Sequence, residues 1–480
     1  MNNGKVLKHF TIVGLGTLLN LLLGLFTTPL ITRMVDPIEY GQLSIFIMYS
    51  NIAVMVLCIG LDQALVRFYY ENDTIEYKRE LLFKCIKYPV VISCLISVII
   101  ALTSYLNVIN YEFSTFIMIL LCIYSITELL YRFSILLVRL NYKSKLFSSL
   151  NILKKLIYVI IALILLTVIN DFDIYILTIS TFVAAFLCMI ISVIAQSNNW
   201  NFRFIKTELV DERKLYKYAY PFILTSGITT LFQAIDKIFL NYFCSYTEVG
   251  IYSSTMTLVH VFAIIQTTFN TLWSPMSIEH YTKKPNDKEY YKKANHLITC
   301  IMFFLGISLI LCKDLFAYLL GEKYREAAYI LPFLIFNPIM YTISETTVMG
   351  LVFKKKSNVQ IFVALGACIT NIVGNYFLVP LLGPKGAAIS TGISYIVFFS
   401  IRTFLSNRYY YINFELKKFY ILTAIVSLFA LYNTFFKFSA YTILGYIVCL
   451  FVLICFYKKT ILWIIDYLEN MLKHSLRSKE

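Results

Sequence analysis

Long apolar runs alternate with short links in this chain, and nearly all of its Lys and Arg fall on every second link. Few folds tolerate that pattern. A run of roughly twenty apolar residues matches the hydrocarbon thickness of a bilayer, where every backbone N–H and C=O needs an internal partner. The runs must therefore be helices, and the short alternating strands of an outer-membrane barrel are absent from the sequence. Composition closes off the soluble alternative: 59% of residues are hydrophobic and only 14% charged, whereas soluble domains carry about a quarter charged residues. The expected fold class is an all-α polytopic membrane protein.

Fourteen spans are read near residues 9–31, 43–66, 88–107, 114–136, 149–169, 174–196, 219–243, 252–275, 296–319, 329–352, 358–380, 387–405, 417–436 and 441–457. The fifth is the weakest, because Lys154 and Lys155 stand in its first turns; they either snorkel outward or line the mouth of a cavity. With the N-terminus on one side, and basic residues near span ends counted with the adjoining link, that side holds 34 of the 42 basic residues, the opposite side six, and only Arg132 and Lys237 remain for the membrane interior. The positive-inside rule then makes both termini cytoplasmic. The net charge of +15 does not imply nucleic acid, because the basic residues sit in membrane links and no soluble basic domain is present. The Cys residues lie mostly within apolar runs and form no CxxC pair, so they read as small buried hydrophobes. The first apolar run is too long for a signal-peptide core and is expected to remain as a span.

An internal repeat gives a second constraint. The segment ITRMVDPIEYGQLSIFIM, with Glu39, Gly41 and Ser44, recurs 209 residues later as LNYFCSYTEVGIYSSTMT, with Glu248, Gly250 and Ser253. Six spans separate the copies, so the repeats run parallel and predict two pseudo-symmetric six-helix lobes with a substrate path between them. The expected organisation is a lobe over 1–196, a cytoplasmic linker over 197–218, a lobe over 219–407, a helix pair over 408–457 and a basic tail over 458–480. The linker reads as a polar tether with an interfacial helix from Glu208 onward.

Catalytic signatures fail: there is no GxxxxGK[ST], HExxH or GxSxG, and the five His are scattered without ligand spacing. The chain is expected not to be an enzyme and to hold no metal. What remains is a set of polar groups at membrane depth, each costly unless it meets water, a partner or substrate. Arg132 follows Glu128 by one helical turn, so the two either neutralise each other on one face or leave the guanidinium to hold a phosphate or pyrophosphate. Asp236 and Lys237 are neighbours in the seventh span and point about 100° apart. Lys237 either snorkels outward or faces the central path, with Asp236 pairing to another helix. Asp62 and Arg67 close the second span, where Arg67 reads most simply as an interfacial anchor. Glu345 has no local basic partner and is a candidate proton carrier. His260 is the other titratable candidate for ion coupling, against the plainer reading of a satisfied buried His. Asn20, Asn51, Asn371 and Asn375 either line a polar cavity or bond helices together. Pro332 and Pro338 are expected to kink the tenth helix.

Three segments carry a family resemblance. GLGTLLNLLLGLFTTPLITRMVDPIEYGQLSIF resembles the first two helices of bacterial polysaccharide-export flippases of the MOP superfamily, relatives of the MATE exporters. DKIFLNYFCSYTEVGIYSS resembles the family's seventh helix and turn. NIVGNYFLVPLLGPKGAAISTGISY, with Asn371, Asn375, Pro380, Gly383, Gly386 and Ala387, resembles its eleventh-to-twelfth junction. The resemblance implies a protein of the bacterial cytoplasmic membrane that flips undecaprenyl-pyrophosphate-linked oligosaccharide units from inner to outer leaflet. It implies alternating access around a cationic cavity, coupling to a proton or sodium gradient, no bound cofactor, and a polysaccharide polymerase as a partner. Arg132 and Lys237, with Arg67, are the cations this sequence offers. The competing expectation is a MATE-type multidrug exporter, whose site would present carboxylates to a cationic drug. An integral-membrane enzyme ranks last, because the external links are short.

Overall fold

The computed structural model describes residues 3–109, 111–169, 173–202 and 209–477. Helices make up almost all of it, and no strand occurs among the described residues. In chain order they are α1 (Asn3–Met34), α2 (Pro37–Cys58), α3 (Leu61–Phe68), α4 (Ile75–Tyr105), α5 (Thr115–Leu140), α6 (Ser144–Val168) and α7 (Asp173–Ala195). There follow α8 (Ser197–Trp200), α9 (Glu212–Phe243), α10 (Tyr246–Val259), α11 (Ala263–Lys283), α12 (Lys288–Leu311), α13 (Lys313–Leu319) and α14 (Ala327–Leu334). The last are α15 (Phe336–Thr347), α16 (Met349–Phe353), α17 (Gln360–Leu382), α18 (Pro384–Tyr409), α19 (Leu416–Phe435) and α20 (Ala440–Arg477). Fourteen helical stretches among the described residues are long and apolar enough to cross a membrane, with α10–α11 and α14–α15 each forming one of them.

The chain divides into two compact units, residues 1–241 with 245–250 and residues 242–244 with 251–480. In the first, the segment that returns from the inter-span link is clamped onto α4. The fully buried Glu80 carboxylate accepts the backbone amides of Leu209 (3.0 Å) and Val210 (3.2 Å). Lys84, one turn on, pairs with Glu80 at 2.7 Å and donates to the Val210 carbonyl at 2.7 Å. The Asp211 carboxylate then accepts the Arg213 amide at 2.9 Å, an N-cap that starts α9 at Glu212. From there α9 runs unbroken into the seventh span, and Leu215 and Ala219 join a core with Leu61, Leu65, Leu81, Cys85 and Phe133. Glu208, the expected start of an interfacial helix, and the linker's Arg203 and Lys206 lie outside the described residues.

The two copies of the repeat meet. A Cβ at Gly41 would fall 1.9 Å from the carbonyl oxygen of Tyr246, and one at Gly250 would fall 2.0 Å from that of Pro37. Pro37 and Tyr246 occupy equivalent positions in the repeat, as do Gly41 and Gly250, so the contact is reciprocal. The first turns of α2 and α10 approach this closely only because both positions lack a side chain.

In the second unit, the end of α19 is held by Lys313. Its ammonium is fully buried, donates to the carbonyls of Asn433 (2.5 Å) and Phe436 (2.7 Å), and stands 4.7 Å over the Tyr329 ring. A cation on those orphan carbonyls complements the helix dipole and ties the last helix pair to the unit. Lys313 is thus a buried helix cap, although by sequence it counts as a link residue. The tenth span is interrupted at Ile335, between α14 and α15. Pro338 has no N–H for the Leu334 carbonyl four residues earlier, which accounts for the break there.

Candidate functional site

A break in the second span places the first site residue. Ile59 (φ 48°) and Gly60 (φ 72°) are left-handed and separate α2 from α3. A Cβ at Gly60 would lie 2.4 Å from the Ala219 carbonyl oxygen, so only glycine fits. α3 then carries Asp62 against α5, where the aspartate is buried. Arg132 meets it with Nη2 at 2.6 Å and Nε at 3.1 Å, both on Oδ2.

Arg132 is therefore not neutralised by its neighbour on α5. Glu128 instead pairs with Lys154 of α6 at 2.5 Å, and Lys154 also stands 4.9 Å from the Tyr131 ring. Lys155 donates to the Asn20 carbonyl of α1 at 3.2 Å. The two lysines that weaken the fifth span in sequence are thus satisfied between helices. The pairs are unequal in exposure: the Arg132 side chain is 45% exposed against 5% for Asp62, and Lys154 27% against 19% for Glu128. Carboxylates are tucked between helices while the cations look out from the unit. Counting Asp62, Glu128, Arg132, Lys154 and Lys155 together leaves a net charge of about +1 at neutral pH.

The second unit has a carboxylate–arginine pair of the opposite character. Glu345 on α15 meets Arg402 of α18 at 2.8 Å, with side chains only 12% and 6% exposed. Arg402 also donates to the Ser344 hydroxyl at 2.6 Å and lies 5.6 and 5.4 Å over the Tyr341 and Phe398 rings. The expectation of an unpartnered Glu345 is corrected. By sequence Arg402 counts as a link residue, but it lies two turns inside α18, within reach of α15.

The remaining candidates separate. Lys237 is partly buried beside the buried Asp236, and its ammonium has no ion-pair or hydrogen-bond partner among the described residues. α9 up to Asn241 belongs to the first unit, so that unit carries both Arg132 and Lys237. Arg67 pairs with Glu71 at 3.4 Å on an exposed face, as an anchor would. His260 lies in the 3₁₀ turn His260–Phe262 between α10 and α11 and is exposed, which corrects the reading of a buried histidine. Asn371 and Asn375 are buried between α17 and α18. There the Asn375 amide donates to Asn371 Oδ1 at 3.0 Å, and the Ser390 hydroxyl donates to the same oxygen at 2.9 Å. These two bond helices together. Asn51 is exposed and Asn20 partly buried. Among the described residues no group of three His, Cys, Asp or Glu side chains is placed to hold a metal.

Residues 6–279 match the family model for polysaccharide biosynthesis protein. The chain belongs to that family. Among solved structures, this polysaccharide biosynthesis protein is similar to the lipid II flippase MurJ in an inward closed conformation. The TM-score is 0.67 at 14% identity, over 94% of this chain and 100% of that one. It is also similar to an outward-facing multidrug resistance MATE transporter of the MOP superfamily, with TM-score 0.55 at 13% identity over 84% and 94% of the two chains. A Vibrio cholerae MATE transporter variant, VcmN, gives TM-score 0.51 at 14% identity over 84% and 97%. No curated protein matches the chain by sequence. At these identities the likeness is one of fold. The family match and the fourteen membrane-length helices among the described residues make this chain a multi-pass membrane protein with the fold of MurJ and the MATE transporters.

Proposed function

We propose that this protein moves undecaprenyl-pyrophosphate-linked oligosaccharide repeat units from the inner to the outer leaflet of a bacterial cytoplasmic membrane, supplying a surface polymer such as capsule or O-antigen. Family membership supports the pathway, and the lipid II flippase MurJ is a precedent of the same fold for a lipid-linked cargo. The observation that carries the reading is the open guanidinium of Arg132. Its partner Asp62 is closed off while nearly half of the arginine is exposed, so donors remain for a second anion. A guanidinium binds phosphate oxygens bidentately, and the partly buried ammonium of Lys154, more exposed than its partner Glu128, adds a second positive end on α6, beside α5.

In this mechanism the pyrophosphate engages the cationic surface of the first unit while the polyprenyl chain stays in the bilayer. Moving the headgroup along polar groups avoids placing a charge in hydrocarbon. Alternating access with both termini in the cytoplasm completes the cycle. The same reading has a proton or sodium gradient drive it and a polysaccharide polymerase receive the product. A MATE-type drug exporter would need carboxylates facing a cationic substrate, and here Asp62, Glu128 and Glu345 all sit less exposed than, or buried with, their basic partners.

The test is the leaflet distribution of lipid-linked oligosaccharide in cells lacking the protein and re-expressing it. Cytoplasmic accumulation relieved by wild type but not by Arg132→Ala is expected. An unchanged distribution in the absence of the protein would overturn the proposal and favour drug export.

A further inference from the structure

Three inter-span links of the first unit converge on one cavity of about 340 Å³, lined by residues of 69–78, 141–143 and 195–199. All three links are on the Lys/Arg-rich side of the chain. None of the lining residues belongs to the Arg132 cluster. The volume is at the low end for small-molecule sites, roughly 300–1,000 Å³, and is too small for an oligosaccharide.

The lining is almost wholly polar, and its internal bonds leave valences over. Tyr69 donates to Asn141 Oδ1 at 3.0 Å. The amides of Asn141 (3.0 Å) and Asn199 (3.2 Å) both donate to Gln196 Oε1. That arrangement leaves Gln196 Nε2, a donor, and Asn199 Oδ1, an acceptor, buried without a hydrogen-bond partner among the described residues. Unsatisfied buried amide atoms are rare in folded proteins and costly. A neighbouring donor and acceptor are the complement of a hydroxyl, which both accepts and donates. Two ammonium groups flank them. Lys143 spends one donor on the Ala195 carbonyl at 2.9 Å, and Lys78 pairs at 3.1 Å with Asp73, whose side chain is 93% exposed. An ammonium has three donors, and so solvated a partner binds one weakly, so both lysines retain capacity for an anion.

We propose that this cavity binds a phosphate ester carrying free hydroxyls, the glycerol phosphate headgroup of an anionic membrane lipid. Basic pockets between transmembrane helices on the cytoplasmic side are suited to such headgroups. The lysines take the phosphate and the amides of Gln196 and Asn199 take the hydroxyls. The lipid would be a resident ligand, bound apart from the transported cargo, and the proposal stands whether or not the protein is a flippase.

The experiment uses the full chain in detergent, with binding of phosphatidylglycerol, phosphatidylcholine and water-soluble glycerol 3-phosphate measured by native mass spectrometry. Wild type is expected to retain phosphatidylglycerol in preference to phosphatidylcholine. Loss of both charges in Lys78→Gln/Lys143→Gln should weaken phosphatidylglycerol by roughly thirtyfold, given two cations at headgroup depth. Ser197→Trp, which fills the cavity from an exposed lining position, should give a comparable loss without touching the charge. Lys87→Gln/Lys145→Gln removes two exposed lysines outside the cavity and should leave binding unchanged. Glycerol 3-phosphate binding as tightly as the lipid, and equally sensitive to the cavity variants, would uphold the chemistry and assign a soluble source. No preference for phosphatidylglycerol, or equal losses in the cavity and control pairs, would overturn the proposal.

Discussion

Replacing Arg132 by alanine has two consequences that one assay would confuse. The guanidinium is proposed to meet substrate, and it also neutralises Asp62, which is 4% exposed. Breaking a fully buried ion pair costs about 3–5 kcal/mol, because the surviving charge keeps its desolvation penalty. Here the arginine side is 45% exposed, so water can reach the gap, and solvent screening lowers the cost to about 2–3 kcal/mol. That corresponds to a roughly 30- to 150-fold shift in the folding equilibrium. Arg132→Ala should therefore lower the thermal midpoint in detergent as well as abolish export. Asp62→Asn/Arg132→Ala removes the stranded charge and should recover most of the midpoint without restoring export. The measurements are thermal unfolding of purified protein and oligosaccharide flipping in reconstituted vesicles. If the double variant flips at the wild-type rate, Arg132 is a structural partner only and the substrate assignment is wrong. An unchanged midpoint in the single variant would instead refute the energetic argument for the pair.

In the second unit, Glu345→Gln leaves the buried Arg402 uncompensated and should destabilise by about 3 kcal/mol, with Glu345→Gln/Arg402→Met recovering much of it; equal midpoints for all three proteins would show that the pair carries no such energy. Lys313→Met removes the cation on the last carbonyls of α19 and should make α19–α20 the first region cut by limited proteolysis, whereas an unchanged cleavage pattern would refute the capping role. Gly41→Ala and Gly250→Ala each drive a methyl to within 2.0 Å of a backbone carbonyl oxygen, so each should reduce folded protein or transport, and full tolerance of both would refute the close approach. Glu415, in the link before α19, is held down at about 2 from an ordinary 4.5 by hydrogen bonds from Lys292 and Lys418. A carboxyl with a lowered folded-state pKa contributes stability above its unfolded pKa and loses it as pH falls, here between about 4.5 and about 2. Thermal midpoints measured across that window should fall more steeply for wild type than for Glu415→Gln, and parallel curves would count against it.

The sequence alone determined the helical class, the number of spans and the repeat that carries Gly41 and Gly250, whereas the meeting of those two glycines came only with the structure. The first three follow from segment length, the backbone's need for partners in lipid and a repeated motif, all of which are properties of contiguous residues. The sequence also singled out Asp62, Glu128, Arg132, Lys154 and Lys155 as charges in or at the ends of apolar runs. Their pairing was another matter. On one helix Glu128 and Arg132 are ideal i,i+4 partners, yet each is taken by a group on a different helix, at separations of 26 and 70 residues. Glu345 and Arg402, 57 residues apart, were read as an orphan and a loop residue for the same reason. Local spacing specifies what can pair within a helix. Which charges do pair depends on how the helices pack, because only packing decides which group loses its water and must be compensated.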